Sequence, residues 1–241
     1  VSPGWNINWM RFTSLSGMFF PAGSGIINVR DHGAVGDGVA DDTQAIRNSI
    51  YAASAGVGKL VYLPDGTYKV SDTINWTTPY ERYLTLQGQS KNGTVIKLVD
   101  NAAAFQSTAS PKAVLSTLRS SSNLFDSFRN YIRNLTVDVG QGNAGAVGID
   151  YLSNNAGGIY DVDIRSSDVA LIGHCGLRMP MAGPGPSLIK NVRIEGFDTG
   201  IWATDTHVGV TFEHIHLSNQ QVIAIRNDKN SLTFRDLVSQ N

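Results

Sequence analysis

A six-residue pattern recurs five times in the second half of the chain. Each copy begins with an apolar and a polar residue, turns at a polar corner residue, and continues as an alternating apolar strand. The copies lie at 132–137, 159–164, 189–194, 212–217 and 234–238. The spacing of the corner residues is 27, 30, 23 and 22 positions, the length of one solenoid coil. These residues are Asn134, Asp161, Asn191, His214 and Asp236.

The pattern predicts a strand that bends at the corner. After the corner, apolar and polar residues alternate with the period of a half-buried strand. Asn and Asp tolerate the left-handed backbone angles that such a bend requires. A second, weaker series at 147–150, 169–172, 199–202 and 223–226 keeps step with the first. Together they predict an all-β parallel β-helix. An ordinary β-sandwich is the alternative, disfavoured because sandwiches lack a phased second series.

The composition limits the class of protein. The chain has 241 residues and a net charge of −1, which indicates neither a nucleic-acid-binding stripe nor an acidic tail. No apolar run reaches 18 residues, so no membrane span is expected. The single cysteine, Cys175, excludes an internal disulfide. Residues 1–26 lack the plan of a signal peptide, and they are expected to form an aromatic-rich arm on the outer wall.

Residues 27–74 are expected to cap the first coil. They predict a short strand, a helix over 42–55, and a hairpin that turns at Pro64-Asp65-Gly66. An amphipathic helix across the open end would shield the solenoid from water and from added strands. Residues 75–241 are expected to form the coils and to be truncated at the C-terminal end. A second β-helix domain or a homotrimer would then cover the last coil.

Three motifs in this region resemble the opening signature of the pectate-lyase-like superfamily of right-handed β-helices. They are Asp-His-Gly-Ala-Val-Gly-Asp-Gly at 31–38, Asp-Asp-Thr-Gln-Ala-Ile at 41–46 and Val-Tyr-Leu-Pro-Asp-Gly-Thr-Tyr at 61–68. Within the superfamily, the chain is most similar to the N-terminal part of glycoside hydrolase family 55-type proteins. The resemblance implies a right-handed coil, an extracellular location and a polysaccharide ligand, with β-1,3-glucan as the leading substrate.

Carboxylates are the candidates for catalysis. Glycoside hydrolysis needs two carboxyl groups about 5–5.5 or 6.5–9.5 Å apart on one face. Asp150 and Asp168 are expected in or beside the second strand series, and Asp198 with Glu195 at the next turn. Asp150, Asp168 and Asp198 are therefore the predicted catalytic residues, with a structural role at a strand end as the alternative for Asp150. The carboxylate motifs of polygalacturonases are largely missing, which excludes galacturonan hydrolysis.

Trp202 is the candidate platform for stacking on a sugar ring. It is expected at an outward strand position near Asp198, Asp205 and His207. An exposed tryptophan beside polar groups suits carbohydrate, although burial under a long turn is the alternative. Trp202, Asp205 and His207 are therefore the predicted substrate-binding residues.

No metal or cofactor is expected. His214 and His216 lie on one predicted strand, but no cysteine or third clustered histidine accompanies them. Charged residues on adjacent coils, such as Asp163 and Arg193, are expected to be cross-strand neighbours in an ion-paired face. Polysaccharide is the expected partner, and three functions remain open: a glycoside hydrolase, a polysaccharide lyase, and a tailspike-like trimeric adhesin that binds glycan without cutting it.

Overall fold

The computed structural model describes residues 24–54, 60–75, 83–118, 127–183, 185–205 and 209–240. The predicted arm at 1–26 lies almost entirely outside the described residues, and so does the predicted ligand contact His207. No helix in the described ranges has the length and apolar content that crossing a membrane requires.

The described chain is built almost entirely from short strands. The cap and first coils contain β1 Ile26–Asn28, β2 Asp37–Asp41, β3 Leu60–Leu63, β4 Gly66–Val70, β5 Ile74–Asn75, β6 Thr85–Gly88, β7 Thr94–Leu98 and β8 Lys112–Ser116. The later coils contain β9 Tyr131–Asp138, β10 Ala146–Asp150, β11 Gly158–Arg165, β12 Cys175–Met179, β13 Ser187–Glu195, β14 Thr199–Ala203, β15 Val210–Ser218, β16 Ile223–Asn227 and β17 Leu232–Gln240. The helix α1 spans Thr43–Ser54, and two 3-10 turns lie at Val29–His32 and Ala103–Phe105.

The strands form two parallel sheets that wind around one core. The larger sheet has the order β1-β3-β6-β9-β11-β13-β15-β17, and β2, β4 and β7 join it at β9. The smaller sheet has the order β16-β14-β12-β10-β8-β5. Each coil therefore alternates between the sheets, and equivalent strands of successive coils are hydrogen-bonded neighbours. The fold is a right-handed parallel β-helix with one short helix at its N-terminal end, as the sequence predicts.

The predicted register of the coils is confirmed. Ile159 lies directly between Ile132 and Ile189 across the strand pairs, and Ile189 in turn faces Phe212. All four side chains are fully buried. Phe212 also stacks on Phe234, with ring centroids 4.8 Å apart. Continuous inward stacks of this kind place the apolar core on the solenoid axis.

The bend at each corner is confirmed as well. All five corner residues have left-handed backbone angles, with φ of 51° at Asn134, 55° at Asp161, 54° at Asn191, 54° at His214 and 57° at Asp236. At β9, the residues before the corner pair with β6 and those after it pair with β7. Each long strand therefore contributes to two walls of the solenoid, and the corner is the edge between them.

The predicted helix covers the first coil. The sequence predicts this helix over 42–55, and the structure places it at Thr43–Ser54. Its residues Ile46, Ile50 and Ala53 are buried against the core. The turn before it is held by Asp42, whose carboxylate accepts the backbone N–H groups of Val35 and Gly36 at 2.7 and 3.0 Å. Asp42 of the cap motif therefore has a structural role.

Two predictions about strand pairing are wrong. The hairpin expected around 64–66 is absent, because β3 pairs with β1 and β6 while β4 pairs with β2 and β7, all in parallel. The turn between β3 and β4 is a corner of one coil. The segment 169–172 is also a turn and not a strand of the second series, and Val169 is 95% exposed. The true member of that series is β12.

Candidate functional site

Asp150 is held in a buried ion pair on the outer side of the smaller sheet. It ends β10 directly beside Arg178 of β12. The Arg178 Nε and Nη2 atoms donate to its two carboxylate oxygens at 2.7 and 2.8 Å. Burial raises the pKa of Asp150, and the hydrogen bonds from Arg178 oppose that rise. Since both oxygens are engaged, the contacts favour the structural role over the catalytic one, which stays a prediction.

The other predicted catalytic residues lie in turns. Asp168 follows β11, where its carboxylate accepts the N–H groups of Gly142 and Ala170 at 2.8 and 2.7 Å. Its expected place beside the second strand series is wrong, because that segment is a turn. Asp198 precedes β14, and its backbone carbonyl accepts the N–H groups of the turn at 222–223. Glu195 forms an ion pair of 3.0 Å with Arg193.

Trp202 lies on the outer side of β14, and its ring is already in contact with protein groups. It packs on a small apolar cluster that includes Cys175. The Arg226 guanidinium lies 4.3 Å from its ring centroid, and its indole N–H donates to Asp228 at 2.9 Å. Asp205 follows the strand, where its carbonyl accepts the Asn230 side-chain amide. A sugar-stacking role for Trp202 stays a prediction, since a sugar on that face would have to displace Arg226.

A depression of about 440 Å³ runs along the corner of the larger sheet. We call it the corner groove. Its lining comes from four consecutive coils on β6, β9, β11 and β13. With strands about 4.8 Å apart, these four coils extend over roughly 14 Å along the solenoid axis. The corner groove is lined by Gln87, Arg133, Asn134, Tyr160, Asp161, Lys190 and Asn191.

Arg133 is the unusual cation of the corner groove. Its guanidinium lies 4.7 Å from the ring centroid of Tyr131 and 5.0 Å from that of Tyr160. Its Nε is shielded from solvent and makes no hydrogen bond to any described residue. No carboxylate among the described residues forms an ion pair with it. The guanidinium is therefore packed against two aromatic rings and has no ion-pair partner among the described residues.

The two tyrosines form a stacked pair that depends on a glycine. Their ring centroids are 6.0 Å apart, with an angle of 20° between the planes. Gly158 lies opposite Tyr131 across the strands, and a β-carbon there would approach the Tyr160 ring to 2.6 Å. A tyrosine hydroxyl is ordinarily protonated at neutral pH and can donate a hydrogen bond, and burial raises the pKa of Tyr160 further.

The remaining groove residues are linked across coils. Lys190 donates to Glu213 at 3.0 Å, and the Asn191 amide donates to Asp161 at 2.9 Å. The groove thus combines the unpaired Arg133 guanidinium, one paired ammonium, the Asp161 carboxylate, an aromatic face and several amides. Guanidinium groups bind carboxylates in a bidentate geometry, and tyrosine presents an apolar face with a polar end. This set suits an elongated, hydroxyl-rich anion. Among the described residues, no group of three His, Cys, Asp or Glu side chains could hold a metal ion.

The sequence contains a signal for this groove that is separate from the carboxylate pattern. Arg133, Tyr160 and Lys190 each stand one position before a corner residue, so the repeat itself places them in one outward row. Tyr131 stands three positions before its corner, on the same strand as Arg133.

Known proteins resemble this chain in sequence and in fold. A mannuronan C5-epimerase, AlgE6 of Azotobacter vinelandii, is 48% identical over 82 residues, which are 32% of this chain and 9% of that relative. The chain thus spans a small part of the relative's length.

Solved structures share the fold at low identity. ORF18 of Geobacillus virus E2 matches with a TM-score of 0.63 at 20% identity, over 88% of this chain and 41% of the other. The A-module of the mannuronan C-5 epimerase AlgE4 from Azotobacter vinelandii matches with a TM-score of 0.51 at 19% identity, over 88% and 67%. A sequence model of one family matches residues 26–241, nearly the whole chain. The chain belongs to the rhamnogalacturonase A/epimerase, pectate lyase-like family.

Proposed function

We propose that the chain binds an anionic polysaccharide along the corner groove and serves as the polysaccharide-binding β-helix of a carbohydrate-active protein. The observation that carries this proposal is the Arg133 guanidinium, which lies against two tyrosine rings without a carboxylate partner. A neutral glycan would leave that cation without a counter-charge, whereas a uronate carboxylate would pair with it. Lys190, two coils further along, offers a second positive charge to the same ligand.

Two further observations support a polysaccharide over a small anion. The groove runs parallel to the solenoid axis and crosses four coils, so it can contact several consecutive sugars. The matched family is named for rhamnogalacturonase A and an epimerase and is described as pectate lyase-like, and AlgE6 is named for action on mannuronan. The shape and the charge of the groove therefore favour the same class of ligand.

Binding to defined oligosaccharides tests the proposal. Isothermal titration calorimetry would compare a hexamer of mannuronate, a hexamer of galacturonate and a neutral β-1,3-glucan hexamer. We expect the uronate hexamers to bind and Arg133→Met to weaken their binding about tenfold or more, as expected for loss of a charge-assisted contact. Arg193→Met is the matched control, because Arg193 faces outward but is paired with Glu195. Equal losses in both variants, or preference for the neutral glucan, would contradict the proposal.

Cleavage is a separate question. We propose two activities to be tested on the same polysaccharides. One is hydrolysis, for which β-1,3-glucan is the substrate that the sequence favours, and the other is lyase chemistry. Assays for reducing ends and for unsaturated products would distinguish the two. Binding without cleavage by a tailspike-like adhesin is the second candidate function. It is favoured by the engagement of Asp150 and Asp168 in structural contacts.

The remaining proposals concern location and assembly. We propose an extracellular location, because the protein would encounter a long polysaccharide of this kind outside the cell. A second β-helix domain or a homotrimer remains the proposed partner of the last coil. Analytical ultracentrifugation of the chain tests the homotrimer directly, since a monomer at micromolar concentration would exclude it for this chain.

A further inference from the structure

A histidine continues the corner groove toward the last coil. The carboxylate of Glu213 is shared, because its Oε1 accepts from Lys190 Nζ at 3.0 Å and lies 3.2 Å from His214 Nε2. The other ring nitrogen of His214, Nδ1, lies 2.5 Å from the Asp236 carboxylate. Lys190 lines the groove, so the imidazole is two contacts from Lys190 and three from the proposed ligand.

The number of protons on the ring decides which of these contacts can be hydrogen bonds. A neutral imidazole has one N–H and can donate to only one of two carboxylates, whereas an imidazolium donates to both. Both ring nitrogens of His214 face carboxylates. Protonation would therefore allow the ring to donate to both carboxylates at once. Histidine side chains ordinarily change charge between pH 5 and pH 8.

The charged groups around this ring come from three strands. Lys190 of β13, Glu213 of β15, and Arg235 and Asp236 of β17 face it or its immediate partners. On the next outward row, Arg193 of β13 lies beside His216 of β15. Among these neighbouring residues, only His216 is of a type whose ordinary pKa lies between pH 5 and pH 8.

The partner carboxylate keeps its charge through this range. The hydrogen bond from Lys190 lowers the pKa of Glu213, and the charge of Arg235 acts in the same direction. Protonation of His214 therefore adds one positive charge next to an ion pair whose carboxylate stays ionised. It also gives Glu213 a second cationic partner, which weakens its hold on the Lys190 ammonium.

We infer that His214 makes the corner groove a pH-dependent binding site, which takes anionic polysaccharide more tightly as the pH falls from 8 to 5. This inference rests on the proposed function. Uronate carboxylates stay ionised over that range, so the change in affinity reports the protein. One added charge near the ligand is expected to strengthen binding by about three- to tenfold at low ionic strength, and less at high salt.

Two substitutions fix the charge at this corner. His214→Asn is permanently neutral and uses the residue found at the corners Asn134 and Asn191, so its backbone angle is tolerated. His214→Lys is permanently positive. Dissociation constants for mannuronate hexamer would be measured at pH 5 and pH 8 and constant ionic strength. His174→Gln is the control, because His174 lies beside Trp202 on the other sheet.

We expect the wild type and His174→Gln to bind about three- to tenfold more tightly at pH 5 than at pH 8. His214→Asn should bind at both pH values as the wild type does at pH 8, and His214→Lys as the wild type does at pH 5. A wild-type pH dependence that persists in His214→Asn, or pH-independent binding that Arg133→Met abolishes, would overturn the inference and leave the proposed function standing. Absence of binding at either pH would overturn both.

Discussion

Arg178→Met removes one partner of the buried ion pair and leaves the other behind. The Asp150 side chain is 7% exposed and accepts both of its close hydrogen bonds from Arg178. An unpaired carboxylate in such a position costs about 3–5 kcal/mol of unfolding free energy. For a chain of this size, that loss corresponds to a fall in Tm of roughly 6–20 °C. The double variant Asp150→Leu/Arg178→Met removes both charges and is expected within about 1 kcal/mol of the wild type.

Urea unfolding followed by circular dichroism measures these differences, and pH supplies an independent check. In Arg178→Met, burial raises the pKa of Asp150 with no guanidinium to oppose it. The neutral acid is then preferred in the folded state, so the variant should lose stability as the pH rises from about 4 to 8. A single variant within 1 kcal/mol of the wild type at pH 7.5, or a double variant as unstable as the single one, would refute the structural role of the pair.

Three further experiments test other parts of the fold. Asn191→Ala keeps the β-carbon at φ 54° but removes the polar side chain, which donates to Asp161, and should lower the unfolding free energy by about 1–2 kcal/mol. Asn191→Gly should cost less, because glycine has no β-carbon to strain. Burial opposes ionisation of Asp72, yet hydrogen bonds from Lys112 and Arg47 lower its pKa to about 2. The wild type should therefore lose stability between about pH 4 and pH 2, and Asp72→Asn should lose less in acid titration. Burial raises the pKa of Cys175, so a thiol reagent should label it only on unfolding.

The corners and the inward stacks could be predicted because each leaves a mark at a fixed sequence offset. A left-handed backbone angle selects Asn, Asp or His, and all five predicted corners have that angle. The buried neighbours of Ile159 follow from the same alignment. Local chemistry and long-range pairing agree at these positions, so the sequence alone was sufficient.

The second strand series was harder to predict because its essential residue is a glycine. The apolar letters at 169–172 match the pattern, but Leu171 has φ 56° and belongs to a turn. In β12, a β-carbon at Gly176 would approach the Ile194 side chain to 2.3 Å and the Gly200 carbonyl to 2.9 Å. The glycines at 148, 176 and 200 therefore mark the series at positions where a side chain would collide with the backbone of the next coil. This steric demand arises only after the coils stack.

The candidate site could be predicted only in part. The repeat places Arg133 and Tyr160 side by side, but the stacking of the guanidinium on the ring depends on side-chain directions. The partner of Asp150 lies 28 residues away, so the sequence could not show that its carboxylate is already engaged. Hydrolysis needs carboxylates, so the sequence predicts them as candidates, whereas the lack of a carboxylate partner for Arg133 is a property of the folded chain.

A crystal structure of the protein with a bound mannuronate hexamer tests the central claim most directly. We expect the sugars along the larger sheet, with one carboxylate within hydrogen-bond distance of the Arg133 guanidinium and a sugar ring against Tyr160. A hexamer on the smaller sheet beside Trp202, with the corner groove occupied by solvent, would contradict the account.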